Sequence, residues 1–395
     1  MKILFVTSIP LEYNSSANMR NLALIQGMID LGNTVYTLSP SPNANAKQYD
    51  KSTVPEALHE RRFWMDTPEY NKSIETTPTF LDKVRGKIKK IMYDVYVSVS
   101  VYDPRARIAN KIPAELASEK FDVIISSSDP KSSHLIVENL KTTNPSISEV
   151  WIQYWGDPFA NDINRLSKLP TKVIEKEEYR ILQKADMILY VSPVTFSVMK
   201  KKYPQLQQRM LFEPVPFRKK IEYTTLPNDI FTIGYFGDYY SKDRNITPLL
   251  NGVMNESCKL LLVGNTDIQF ENTAGNVVKL GRQEVSEIRK MEENVDLLVC
   301  VCNKKGTQIP GKIYHYSATN KAILLIVDGE YKTELVNYFK GFNRFYICEN
   351  DKDSIIETLR RIKSEKKNFA PLNDFASSAI ANRILTKLLK KDMSS

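Results

Sequence analysis

The chain is poor in the residues that build metal and redox sites. Its 395 residues include four cysteines, Cys258, Cys300, Cys302 and Cys348, and three histidines, His59, His134 and His315. Neither set shows a zinc-ligand spacing. Cys300 and Cys302 stand two apart inside the apolar run 295–302, where strand alternation puts both thiols on one face, so packing thiols are expected. The one D-x-D, Asp351-Lys-Asp353, precedes the helical pattern 354–359 and reads as helix capping, not as a metal-chelating pair for a nucleotide diphosphate. Glycine is scarce: 14 residues, where an average usage of about 7% would supply roughly twice that. Long apolar runs are missing as well. Those at 259–264 and 322–327 stop after five or six residues, far short of the roughly 20 that a membrane-spanning helix needs. Residues 1–8 hold one early lysine and a four-residue apolar core, too short for a signal-peptide core, and they read as a first strand. A cytoplasmic protein is expected.

What is present argues for a globular, two-domain protein. With 42% apolar and 26% charged residues the chain is neither disordered nor collagen-like, and its length exceeds what one core usually serves. Apolar runs of strand length recur with helical stretches between them, the pattern of β-α units and parallel sheets. In the first half they fall at 3–7, 34–38, 123–127, 150–154 and 187–191. In the second they fall at 232–236, 260–263, 277–280, 297–301, 323–327 and 344–348. Between the sets, 212–220 and 226–229 replace periodicity with proline and charge, so a boundary belongs there.

This predicts an α/β architecture of two doubly wound domains. A first domain covers 1–215, with an insertion at 41–120 that shows no strand signal and is too long for an ordinary loop. A linker at 216–229 leads to a second domain at 230–370. The segment 371–395 is helical by pattern from 373 to 391, with Ile380, Ile384, Leu385, Leu388 and Leu389 on one face, and is expected to pack back toward the first domain. Ligands of such sheets bind at the carboxyl ends of the strands, so a cleft where those ends meet is the default site.

The net charge is +9, from 55 basic and 46 acidic residues. Residues 83–90 carry five basic groups and no acid, and 360–391 carry nine against Glu365 and Asp374. These two segments therefore hold +12, leaving about −3 for the rest. Apolar positions 84, 88, 91, 92, 95 and 99 follow helical spacing, which makes the first segment a basic amphipathic helix: a solvated helix face or a membrane-surface contact. The concentration of charge favours an anionic membrane over nucleic acid, as does the absence of the aromatic-basic interleaving that stacks bases.

Two stretches carry candidate chemistry. In Thr232-Ile-Gly-Tyr-Phe-Gly-Asp238, followed by Lys242 and Arg244, and in the strands ending at Gly264-Asn265 and Gly281-Arg282, each strand ends where backbone must turn tightly or approach a ligand. Lys242 and Arg244 can neutralise a diphosphate without metal there. In Gly306-Thr-Gln-Ile-Pro-Gly-Lys-Ile-Tyr-His-Tyr316, Pro310 is placed in the first turn of a helix. Its free amides, Gly311 and Lys312 would then suit an anion, with His315 one turn on beside a sugar hydroxyl or simply buried.

The order of these motifs resembles the donor-binding domain of bacterial family 4 glycosyltransferases of the GT-B fold. The first half resembles the acceptor-side domain through Phe121-Asp-Val-Ile-Ile-Ser-Ser-Ser-Asp-Pro130 with His134, Trp155-Gly-Asp-Pro-Phe159 and Lys184-Ala-Asp-Met-Ile-Leu-Tyr-Val-Ser192, in the same order. The resemblance runs from residue 1 to about 391. It implies two Rossmann-like domains facing each other across a cleft. It also implies retaining, metal-independent transfer of a sugar, of the hexosyltransferase type, from a nucleotide-sugar donor to a glycan or lipid-linked glycan. Such an enzyme would serve cell-surface polysaccharide synthesis, capsule or lipopolysaccharide, at the inner face of the membrane, with no cofactor and no nucleic-acid partner.

Carried over residue by residue, the resemblance gives Gly237, Lys242, Arg244, Asn265, Gly281, Arg282, Pro310, Gly311, Lys312 and His315 to the donor, Val278 to Arg282 holding the base through backbone. Arg20 falls on the acceptor side, and Asp157 and Asp129 are the candidates to orient or deprotonate the acceptor. The chain departs from the family where members carry two glutamates eight positions apart, here Thr307 and His315. It departs again where the usual glycine pair becomes 14–20, and where a catalytic histidine is Ser128. An altered subfamily or a weakened enzyme would both show this, and the first is the reading adopted. The competing readings are a nucleotide-sugar 2-epimerase, which would want more histidine and carboxylate, and a non-catalytic scaffold of a glycan assembly complex.

Overall fold

The structure, a computed structural model, describes residues 1–66, 80–224, 228–271, 275–365 and 367–392. Of the expected linker, 225–227 lie outside the described residues, as do the side chains of 83–85. The chain divides into two compact units, Met1–Arg218 with Ser377–Ser395, and Lys219–Ala376.

The first unit runs β1 (Lys2–Val6), α1 (Ser16–Asp30), β2 (Thr34–Pro40), β3 (Arg62–Met65), α2 (Phe80–Val99), β4 (Phe121–Ser127), α3 (Ser132–Thr143), β5 (Ser148–Trp155), α4 (Thr171–Leu182), β6 (Met187–Tyr190), α5 (Pro193–Lys202) and β7 (Met210–Phe212). All neighbouring strands pair parallel in the order β3-β2-β1-β4-β5-β6-β7. The chain winds outward from β1 in one direction and from β4 in the other, so the switch point lies between them. The core on one side of this sheet is built from Leu4, Val6, Ile124, Trp151, Trp155 and Ile188 with helix residues such as Ile136, Ile174 and Ile181. Such near-continuous apolar strands are what a sheet covered on both faces requires.

Strand β3 corrects the expectation that 41–120 contains no strand. It is four residues long, and its apolar run, Phe63-Trp64-Met65, is only three residues, too short to stand out as a strand. Its register against β2, from Thr37 opposite Arg62 to Pro40 opposite Met65, is held by Arg62 donating to both carboxylate oxygens of the buried Glu12 at 2.5 and 3.2 Å.

The second unit runs β8 (Thr232–Phe236), α6 (Thr247–Met254), β9 (Lys259–Val263), β10 (Val277–Leu280), α7 (Val285–Glu293), β11 (Leu297–Val301), α8 (Lys312–Tyr316), β12 (Ala322–Val327), α9 (Lys332–Lys340), β13 (Tyr346–Glu349) and α10 (Lys352–Glu365). Its parallel order is β10-β9-β8-β11-β12-β13, with the switch point between β8 and β11. Every residue of β11 is buried, and Cys258, Cys300, Cys302 and Cys348 are buried free thiols. Asp351 caps α10 by accepting from the Ser354 amide at 2.9 Å.

The final helix, α11 (Ser377–Asp392), belongs to the first unit. It starts later than the pattern suggested, because residues Asn373–Phe375 form a separate 3-10 turn. Its apolar side, Ile380, Ile384, Leu385 and Leu388, is buried. On another side Arg383 and Lys387 both donate to the buried Glu213, at 2.7 and 2.8 Å. Five basic residues of the stretch 360–391 are thus held in ion pairs, since Arg360 and Lys363 also pair with Glu256, and Lys367 with Glu365.

Candidate functional site

At the switch point of the first sheet, β4 ends on Ser127 and the chain continues through Ser128, Asp129, Pro130 and Lys131 into α3. The neighbouring strand β5 ends on Trp155 and continues through Gly156 and Asp157. The Ser128 hydroxyl oxygen accepts from the Gly156 amide at 3.1 Å, tying the two strand ends together. Ser133, in the first turn of α3, accepts from the Ser8 amide at 2.9 Å and so fixes the end of β1 to the same place.

Arg20, on α1, is buried with its guanidinium over the Tyr154 ring, 5.0 Å from the centroid. It donates to the Ser128 carbonyl and to Ser127 Oγ. It occupies the space that a side chain at residue 156 would need, so Gly156 is what admits it.

Around this frame stand three carboxylates and one ammonium. Asp129, Asp157 and Asp162 bring one oxygen each within 4.8 Å of one another. Lys131 sits among them, paired with Asp129 and, at 2.5 Å, with Asp162. A divalent cation at the three carboxylates would compete with that ammonium. Burial pushes the Asp157 carboxyl well above the usual carboxylate range, and the neighbouring Asp129 charge adds to it. Burial also acts to raise Asp129, but the Lys131 ammonium, a hydrogen bond from Asp157 and the Arg20 guanidinium outweigh it and hold Asp129 below its ordinary value. The pair thus shares one proton: Asp157 carries it and donates to an ionised Asp129. Asp129 retains 31% of its side-chain surface, enough for a hydroxyl to reach it. His134 lies deeper, its Nδ1 at 2.7 Å from Ser126 Oγ and its ring 4.2 Å from that of Trp155. Burial drives its pKa down to about 3, so it is a neutral packing residue.

The mouth of the second sheet has the opposite character. The ends of β8 and β9 approach so closely that a side chain at Gly264 would overlap the Gly237 carbonyl and the Asp238 amide nitrogen. Asp238 fastens the two turns by accepting from the Asn265 amide at 2.8 Å. Arg244 donates to the Asp238 carbonyl and to the Tyr235 hydroxyl, and its buried Nε makes no hydrogen bond. Lys312 reaches over Gly237, its Cγ 3.9 Å from where a Cβ there would stand. Burial lowers the Lys312 pKa against the pull of Glu292 and Cys300, and Arg282 lowers it further. Neither Arg244 nor Lys312 has a described carboxylate at ion-pair distance. A buried cation without a counter-charge is costly, and an anion relieves it.

The structure therefore brings Gly237, Asn265, Arg244 and Lys312 together, with Gly311 capping α8. Three other expected donor residues are exposed, Arg282 among them although its charge acts on Lys312. Lys242 is exposed and only loosely paired with Asp243 at 3.9 Å, and Gly281 and Arg282 are exposed at the end of the edge strand β10. Pro310 is not in the first turn of a helix: α8 is five residues long and starts at Lys312, with Pro310 ahead of the cap and its carbonyl accepting from the Ile313 amide. The loop 303–311 uses the residues that the pattern had assigned to the helix. His315 is half-buried, its pKa drawn down to about 3 by burial and by Lys312. In the first unit, Asp129, Asp157 and Arg20 come together as a group. Sequence reasoning missed Lys131 and Asp162. Lys131 had a signal, being two residues beyond Asp129 in a strand-end loop. Asp162 had none.

No known family model matches the chain, and no curated protein matches its sequence. Solved structures do match. The apo form of a lipopolysaccharide outer core galactosyltransferase, WaaB, is 13% identical with a TM-score of 0.51, covering 98% of this chain and 100% of that one. Alr3699/HepE of Anabaena, in complex with UDP and glucose, is 12% identical with a TM-score of 0.54, covering 100% and 99%. A UDP-N-acetylglucosamine 2-epimerase is 10% identical with a TM-score of 0.51, covering 100% and 96%. At such identities the likeness is one of fold, and the fold of this chain is that of the GT-B proteins, two parallel α/β sheets of seven and six strands.

Proposed function

We propose that the protein is a glycosyltransferase that moves a sugar from a nucleotide-sugar donor to a hydroxyl of a glycan or lipid-linked glycan. We place it among the retaining, metal-independent hexosyltransferases of cell-surface polysaccharide synthesis, acting at the inner face of the membrane. The observation that carries the reading is the pair of unneutralised cations, Arg244 and Lys312, over the tightly turned ends of β8 and β9. Glycosyl transfer develops charge on a departing diphosphate, and fixed cations at that point stabilise the departure more than the ground state. In this reading Lys312 and Arg244 take the leaving diphosphate and Asn265 lines the same turn. The Asp129–Asp157 pair engages the acceptor, the ionised Asp129 accepting from its hydroxyl. The UDP and glucose of the Anabaena structure agree with a nucleotide-sugar as ligand of this fold. The fold alone does not choose between transferase and epimerase, so the test must.

Purified protein is expected to be stabilised against heat by at least one of a panel of UDP-, GDP-, ADP- and CMP-linked sugars, and to lose that response on Arg244→Ala. Incubated with that donor alone, an epimerase would change the sugar, whereas a transferase would release the nucleoside diphosphate in step with acceptor. A full panel without any thermal response would count decisively against the donor site.

A further inference from the structure

The helix α2 turns its apolar side away from the protein. Ile88, Ile91, Met92, Val95 and Val99 are each between 51% and 66% exposed. Their spacing of three, four, seven and eleven residues from Ile88 places them on one stripe, about 100° wide at 3.6 residues per turn. The helix is held from the other side. Val97, about 180° round from the middle of the stripe, is only 8% exposed, and Arg107 lies over the Tyr96 ring, 4.9 Å from its centroid. The fold buries the wrong face for a core helix and leaves the large aliphatic face in water.

Charge on the helix is arranged around that stripe. Lys87 and Lys89 are exposed and flank it on its two edges, about 100° to either side of its centre, where long side chains extend their ammonium groups away from an apolar phase. Lys90 is exposed farther round. We infer that α2 lies in the surface of an anionic lipid bilayer, its aliphatic stripe among the acyl chains and Lys87 and Lys89 at the phosphate level. Charge complementarity selects this occupant. A second copy of the chain packed stripe to stripe would bring two sets of flanking lysines together, whereas anionic headgroups neutralise them. The inference deepens the proposed function by naming the surface that would hold the enzyme beside a lipid-linked acceptor. It rests on that reading for its purpose and on the helix alone for its physics.

The test uses the full chain and no turnover. Co-sedimentation is measured with vesicles of phosphatidylcholine alone and of phosphatidylcholine mixed two to one with phosphatidylglycerol. Binding is expected only to the mixed vesicles and is expected to weaken at high salt. Ile91→Glu should lower the partition coefficient at least about tenfold, and Lys87→Gln with Lys89→Gln about thirtyfold. All of these side chains are solvent-exposed, so the variants should keep the parent's thermal midpoint and its response to a nucleotide-sugar. Equal sedimentation of parent and variants would overturn the inference. So would a dimer in sedimentation velocity that Ile91→Glu dissociates while lipid binding is absent, which would assign the stripe to a second copy. Lipid binding that persists in a protein unresponsive to every nucleotide-sugar would defeat the transferase reading and leave the docking surface standing.

Discussion

The two sheet mouths are built on the same topology and filled with opposite chemistry. At the end of β4 and β5, three carboxylates surround one lysine, and every charge has a partner. At the end of β8 and β9, an arginine and a lysine stand over paired glycine turns, the arginine braced by a carbonyl and a hydroxyl oxygen and neither cation at ion-pair distance from a described carboxylate. The first mouth is thus internally neutralised and suited to handling a proton or a hydroxyl. The second holds positive charge in reserve for a ligand that brings negative charge. A doubly wound sheet supplies the place, and the side chains at the strand ends decide what is held there.

The sharpest way to break this contrast is to unbalance the neutralised mouth. Lys131→Met should cost about 3–5 kcal/mol of stability, because it leaves Asp129 and Asp162 without their cation in a recessed site; urea denaturation measures it. Lys312→Met, by contrast, removes a half-buried cation that lacks an ion-pair partner and should leave the protein at least as stable. If the two losses are equal, the distinction between a paired and a waiting mouth is wrong.

Asp157→Asn probes the shared proton. The amide still donates to Asp129 but cannot ionise, so the fold should survive with about a kcal/mol of change or less. In the parent, activity that needs the protonated Asp157 falls as pH rises through its raised pKa, and the variant should lack that alkaline limb. Asp129→Asn should instead lower kcat about a hundredfold at every pH, by removing the acceptor for the substrate hydroxyl. An alkaline limb unchanged in Asp157→Asn would assign it to another group.

The remaining prediction concerns His134 and His315, one near each mouth. Burial, foremost, and nearby cations bring His134 and His315 to about 3, against about 6.5 in an unfolded chain. Below pH 6.5 the unfolded state therefore binds protons that the native state does not. The stability is fully present above that pH and is lost as pH falls toward 3, by about 1.4 kcal/mol per unit for each histidine, or about 2 kcal/mol each between pH 7 and 5. Denaturation at the two pH values should show the sum, and His315→Asn should remove half of it. A pH-independent midpoint in that variant would mean that His134 is reachable by water after all.

How much of this was legible in the sequence depends on how local the signal was. All eleven apolar strand-length runs expected from sequence lie wholly or mainly within the observed strands, because buried parallel strands need β-branched and aliphatic runs of just that length. The eleventh, 344–348, begins two residues ahead of β13. Strand β3 was not legible, since an edge strand whose apolar run is three residues long gives little periodicity to read, and it is held by Glu12, fifty residues away. Asp129, Asp157 and Arg20 could be named from strand ends and motif order. Lys131 bridging Asp129 to Asp162 could not, because Asp162 arrives from a loop without pattern. Pro310 went astray by local propensity: it suits the first turn of a helix, but the preceding loop kept it.

The helices α2 and α11 show where sequence stops. Both read as basic amphipathic helices with one aliphatic stripe, and periodicity alone settled that much, since a 3.6-residue repeat puts those side chains on one side in any surroundings. Which stripe finds a partner is a matter of tertiary structure. In α11 Ile380, Ile384 and Leu388 are buried and Arg383 and Lys387 are spent on Glu213. In α2 the contact falls on Val97, the opposite side, and the stripe stays outside. Burial depends on what the rest of the chain brings alongside, and no repeat within a helix encodes that.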